Sequence, residues 1–232
     1  MWVAAAYEPE LDVEAALAEL GELGEQARAH GVSDGQSLAG FLAGQCGFKG
    51  NRQDYYRVEN SCLNWVIEQR LGIPISLAVV YVAVGRHVGL DVYGIGFPGH
   101  FMVGVRPTQS AALELIDPFS GLMMSQSDCL QQLDRMASGQ AKTAKIANQE
   151  SYAESLAQQL QGYLQPAGVT QILLRLLENL KQIHLRQKDL ARALAVVDYQ
   201  ILVDPHNFDL RMQHEQYLAK SAGRPPGQTK IH

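Results

Sequence analysis

The sequence predicts an α+β fold, and three observations predict it. Helical spacings occupy most of the first ninety residues. Three short strand patterns follow, at Val92 to Phe97, His100 to Arg106 and Ala112 to Ile116. Helical patterns then return and run almost to the C-terminus. Helices come first and strands follow in a block, which favours an antiparallel meander over an alternating, doubly wound sheet.

The elements follow in order. Leu11, Ala15, Leu17, Leu20 and Leu23 recur near helical spacing, and Gly31 is a stop. Ser37 to Leu42 adds a short helix, and Gly44, Gly47 and Gly50 loosen the chain after it. Asn60 or Ser61 is placed to cap a helix carrying Leu63, Val66, Ile67 and Leu71, which Gly72 breaks. Pro74 suits the first position of the next helix, because the N–H it lacks would have no partner there. That helix runs to about His87 and is apolar nearly all round, so it is expected at the buried centre. Pro98-Gly99 and Pro107 to Ser110 separate the three strands, and Asp117-Pro118 closes the last. Ile172 to Leu185, Leu190 to Val203 and Phe208 to Ala219 are three further helices on short turns. The segments drawn from this pass are 1–50 (N-terminal helices), 51–135 (the α+β core), 136–166 (a helical, polar connector), 167–222 (C-terminal helices) and 223–232. The last, rich in Pro and Gly, is expected to be disordered.

Composition excludes several function classes. The chain is 47% hydrophobic and 19% charged, enough apolar mass for a core. A net charge of -5 argues against a dedicated nucleic-acid binder, and Lys142 with Lys145 is a surface pair rather than a basic patch. Three cysteines, Cys46, Cys62 and Cys129, form neither a disulfide framework nor a CxxC zinc pattern, so no metal is expected. Gly94, Gly96 and Gly99 lie at a strand with no helix after them, so no dinucleotide cofactor is expected. The start lacks a basic leader, and the longest apolar run, Ile73 to Val84, is too short to span a membrane. The expected location is the cytoplasm.

One constellation carries chemistry. A cysteine-type acyl-transfer site needs a thiolate, a histidine to take its proton and a carboxylate to orient that histidine. A helix N-terminus suits the thiolate, because free N–H groups and the helix dipole lower the thiol pKa. Here Pro74 opens a helix, His100 opens a strand, and Asp117 ends the next. The order and spacing resemble transglutaminase-like domains across residues 51–121. In that family a Gly-x-Cys opens the central helix, with Ala four residues after the Cys, Arg twelve after and Gly fifteen after. Here Gly72, Ala78, Arg86 and Gly89 fill those positions around Pro74. The family's His-Ala-Trp-Val matches His100-Phe101-Met102-Val103, and its Leu-Asp-Pro matches Ile116-Asp117-Pro118. The resemblance therefore implies that His100 and Asp117 are vestiges of a triad whose nucleophile position is occupied by Pro74. A proline cannot form an acyl-enzyme.

Two other nucleophiles come into question. Ser76 lies two residues on, and positions i and i+2 point to nearly opposite sides of a helix. Cys62 sits one helix earlier, and a buried cysteine is more often a small core hydrophobe. The bland reading of the pair is a buried hydrogen bond that fixes strand register.

A narrower resemblance is carried by Tyr55-Tyr56, Asn60-Ser61, Gly72-Ile73-Pro74-Ile75-Ser76-Leu77, Pro98-Gly99-His100-Phe101 and Asp117-Pro118-Phe119. On these strings the chain is similar to the bacterial SirB-one family, which joins a transglutaminase-like domain to C-terminal tetratricopeptide-like helices. With Pro205 at the closing proline of a 34-residue repeat, Ala193 falls at the small position twelve before it. Leu177, Leu180 and Val197 then line the inner faces, while Lys181 and His184 depart from the pattern. One repeat with a capping helix cannot stand alone, so these helices are expected to dock on the core or on another chain. The expectation is a non-catalytic regulatory module, a pseudoenzyme, binding a protein or peptide through the degenerate cleft or the C-terminal helices. The alternative is a hydrolase or acyl transferase using His100 and Asp117 with Cys62 or Ser76.

Overall fold

A computed structural model describes residues 10–107, 112–137 and 149–221. Residues 1–9 of the stretch weighed as a leader, residues 138–148 of the connector (with Lys142 and Lys145) and the tail 223–232 lie outside the described residues.

Helix α1 (Val13–Ala29) starts where the Asp12 carboxylate accepts the Ala15 N–H at 3.0 Å. It stops at Gly31, whose φ of +71° suits glycine. Helix α2 (Gly35–Ala39) is opened by a reciprocal Asp34–Ser37 capping box and continues as a π-helical turn over Gly40–Gln45. Two-residue strands β1 (Lys49–Gly50) and β2 (Leu71–Gly72) pair in parallel. Between them, a 3-10 turn (Val58–Ser61) leads into α3 (Leu63–Gln69). Neither Asn60 nor Ser61 caps α3. Its N-cap is Cys62, whose side chain makes no capping hydrogen bond to the helix. Asn60 is instead buried and holds the preceding loop: its amide donates to the Asp54 and Tyr55 carbonyls and its oxygen accepts from Asn51.

Helix α4 (Pro74–His87) begins on Pro74, as the missing N–H predicts. It buries Ile75, Leu77, Val80, Tyr81 and Val84 in the main apolar cluster. Each such side chain contributes roughly 1.5–3 kcal/mol of burial. Strands β3 (Asp91–Ile95), β4 (Met102–Arg106), β5 (Glu114–Asp117) and β6 (Leu122–Met124) form the antiparallel meander β3-β4-β5-β6. Side chains alternate across it. Val92, Val103, Val105 and Ile116 join α4, α2 and α3 on one face. Tyr93, Ile95, Met102 and Leu115 join a second cluster on the other face. That face is covered by α5 (Gln126–Met136) and α6 (Gln149–Tyr163), through Cys129, Leu133 and Leu160.

Helices α7 (Val169–Arg186), α8 (Leu190–Val203) and α9 (Phe208–Ser221) follow, with α8 packed along both neighbours. Leu177 and Leu180 of α7 and Val196 of α8 form a small cluster, and Leu176 of α7 belongs to the main core. The apolar interior therefore runs from α1 to α7 without a break at a composition boundary. Among the described residues, no helix is long and apolar enough to cross a membrane.

Candidate functional site

The turn Pro98-Gly99 sets His100. Gly99 takes φ +69°, a left-handed conformation that side chains resist, and the His100 N–H donates to the Phe97 carbonyl at 3.0 Å. Phe101, buried on the α4 side, anchors the next residue. The register Val103↔Ile116 then lays the chain before β4 alongside the end of β5, where Asp117 stands. The His100 Nε2 meets Asp117 Oδ1 at 2.8 Å, and both side chains retain 17% exposure.

Asp117 is held from several sides. Its Oδ1 also accepts the Phe119 N–H at 2.8 Å, and its Oδ2 accepts the Ser120 hydroxyl at 2.7 Å. Gly121, at φ +73°, closes the turn by donating its N–H to the Asp117 carbonyl at 2.8 Å. Burial pushes the Asp117 pKa up, but the bonds from His100 and Ser120, the His100 charge and the Phe119 N–H outweigh it, so the carboxyl sits below the ordinary aspartate value. With Nε2–H given to this carboxylate, the lone pair of a neutral imidazole falls on Nδ1. That nitrogen makes no hydrogen bond among the described residues.

Sequence reasoning missed two groups here. Arg175, on α7, donates one guanidinium nitrogen to the His100 carbonyl at 2.7 Å and to the Phe97 carbonyl at 3.3 Å. Its guanidinium also lies 5.5 Å from the centre of the Phe101 ring. No local pattern links residues 75 apart in sequence, so no signal announced it. Tyr81, from the middle of α4, brings a buried phenol toward Asp117 and Cys46, without a hydrogen-bond partner. Burial raises its pKa, and the two neighbouring acids raise it further, so it stays a neutral O–H. A polar residue on the apolar face of α4 was the available clue.

The rim is aromatic. Tyr55 meets Phe119 at 6.0 Å between ring centres, and a Cβ added to Gly50 would stand 2.4 Å from the Phe119 ring. Glycine at position 50 is what lets that ring lie against the strand. Beside it a cleft of about 520 Å³ is lined by Lys49, Asn51, Gln53, Leu71, Phe119 and Ser120, among others.

The other expected site residues lie elsewhere. Pro74 is the first residue of α4, half-buried. Ser76 is fully buried; its hydroxyl donates to the Asn60 carbonyl at 2.6 Å and accepts the Ile73 N–H at 3.1 Å. Cys62 is 2% exposed, with its sulfur 3.9 Å from the Val58 carbonyl. The groups bonded to His100 are Asp117, Phe97 and Arg175, and neither Cys62 nor Ser76 is among them. No cluster of three or more His, Cys, Asp or Glu suited to a metal occurs among the described residues.

One buried helix behind an antiparallel sheet, with a histidine before one strand bonded to an aspartate ending the next, defines a class of α+β proteins built around a His–Asp pair. The chain belongs to the transglutaminase-like superfamily, whose family model matches residues 12–178. It is 34% identical over 158 residues to a UPF0162 protein of Xylella fastidiosa (strain 9a5c), covering 68% of this chain and 51% of the relative. A UPF0162 protein of Pseudomonas aeruginosa is 29% identical over 190 residues, covering 79% of this chain and 63% of the relative. The F-box only protein 21 of Mus musculus is 38% identical over 77 residues, covering 33% of this chain and 12% of that protein. The chain thus spans about half the length of the first curated relatives it matches. No solved structure matches it.

Proposed function

We propose that this chain is a non-catalytic, regulatory member of its superfamily that binds a protein or peptide at the His100–Asp117 cleft. One observation carries the reading. Pro74 occupies the helix start where the family resemblance places a thiol, and the hydroxyl two residues on is enclosed by backbone partners. Cys62 offers no replacement, since its thiol is buried and lies against its own turn. The pair is then a hydrogen-bonding element of a binding cleft, with Nδ1 to accept a ligand N–H. The C-terminal helices act as a tetratricopeptide-like element. In support, Ala193 is fully buried on α8, which packs along α7, and Pro205 lies in the turn before α9. The resemblance to the SirB-one family supports the regulatory role, and three cysteines that form no disulfide suit a reducing, cytoplasmic setting.

The free Nδ1 favours one rival, a hydrolase in which the His–Asp pair acts as a base on water without a covalent intermediate. Amidase, protease and transamidation assays on the intact protein separate the two. The proposal expects no turnover above background and no change with His100→Ala. Turnover that falls by about 100-fold in that variant, the size of a lost general base, sinks it.

A further inference from the structure

An unbroken strip of edge-to-face rings, with a guanidinium group over the ring at each end, passes beside the His–Asp pair. Arg52 lies 5.4 Å from the centre of the Phe119 ring. Phe119 meets Tyr55 at 6.0 Å, Tyr55 meets Tyr56 at 5.1 Å, and Arg186 of α7 lies 4.0 Å from the Tyr56 ring centre. Lys49 adds a third cation in the adjoining cleft. The strip is accessible: Tyr55 is 36% exposed and Tyr56 51%, and Arg52 and Arg186 are exposed. Neither arginine forms an ion pair among the described residues, whereas Arg28, Arg57, Arg106 and Arg192 all do. On a protein of net charge -5, these cations stand without a carboxylate partner among the described residues, on the face that carries the candidate site.

The chemistry selects a ligand. A stacked guanidinium keeps its N–H edge free for a carboxylate, which it can grip with two parallel bonds. The ring faces between the two arginines suit apolar or aromatic side chains and attract no anion of their own. Laid end to end, the four ring contacts reach at most about 20 Å, a length that about six extended residues cover. An acidic chain with a few carboxylates at its ends fits this pattern of cation, ring, ring, ring, cation. A nucleic acid fits it less well, because it brings a phosphate at every nucleotide against a protein that is negative overall.

The geometry points to this strip as the docking site for an extended acidic peptide segment of a partner protein, with Arg52 and Arg186 as the two carboxylate anchors. This inference rests on the binding reading above and names the chemistry of the partner.

Fluorescence anisotropy with the full chain tests it. The probes are labelled octapeptides of alternating Glu and Leu, the same peptide with Gln for Glu, and a ten-nucleotide oligothymidylate. The Glu peptide is expected to bind and to weaken with added salt. Arg52→Glu and Arg186→Glu are each expected to raise its Kd about tenfold, the loss of one charge-assisted contact. Both positions are exposed, and circular dichroism verifies that the variants fold; Arg52→Gln and Arg186→Gln repeat the test without a reversed charge. Equal binding of the Glu and Gln peptides, unaffected by all four variants, overturns the acidic inference and leaves the binding reading intact. Binding of the oligothymidylate in preference to either peptide overturns both. Saturable binding of no probe at millimolar concentration overturns the acidic inference, while the assays with His100→Ala still judge the other reading.

Discussion

At the start of α4 the Ser76 hydroxyl is sealed inside and bonds only to backbone of its own fold. At the β4–β5 edge, His100 and Asp117 also make a strong contact, yet both reach solvent. These are the two halves that a cysteine-type site must bring together. One half is an internal joint, and the other keeps part of its surface open to solvent. Polarity alone therefore says little about function; what separates the halves is whether a polar atom has capacity left over.

The contrast can be broken by substitution. The largest effect is expected at the sealed half. Ser76→Ala strips partners from the buried Ile73 N–H and Asn60 carbonyl, and the cost is about 3 kcal/mol, at about 1–3 kcal/mol for each orphaned group. Urea unfolding measures it, and a loss under about 1 kcal/mol would show that the hydroxyl is not structural. Asp117→Ala is expected to cost about 2 kcal/mol, less because water reaches the site. Next in size is Gly99→Ala, at about 1–2 kcal/mol, because the new Cβ must accept a left-handed backbone.

A pH series sharpens the same comparison. The Asp117 pKa is depressed in the fold, so its stabilising contribution is complete above the unfolded value near pH 4. The contribution is lost as pH falls through the lower, folded value. Unfolding midpoints of the wild type should therefore drop more than those of Asp117→Asn between about pH 5 and pH 2. Parallel curves would show that the pair adds no pH-dependent stability.

Smallest in stability, and most telling for descent, is Pro74→Cys. Losing a proline suited to the first helical position costs about 0.5–1 kcal/mol. A thiol there should alkylate with iodoacetamide at pH 7 about tenfold faster than in Pro74→Cys combined with His100→Ala, because only the single variant keeps the imidazole that favours the thiolate. Equal rates would mean that the two halves no longer face each other.

Much of this fold was legible because its signals are local. Pro74 at the first position of α4, the apolar run behind it, and the Pro98-Gly99 and Asp117-Pro118 breaks all act within a few residues. The strand β6 and helix α5 were not read, and α6 was read only as part of a helical, polar connector. Few residues of α5 and α6 are buried, Cys129, Leu133, Tyr152 and Leu160 among them, so their sequences look like polar connector. At the site, His100 and Asp117 were legible from order and spacing. Arg175 was not, because its partners are backbone carbonyls, which every residue type supplies equally.

That arginine has a practical consequence. Trimming the chain at Gly168 looks like the removal of a detachable module, yet it would take away the clasp on the His100 carbonyl, the cation over Phe101 and the Leu176 plug in the main core. A shortened chain that loses an interaction would therefore have lost supports of the His100 turn as well as three helices. Point changes on exposed faces, not deletions, are the instrument that can tell the two apart.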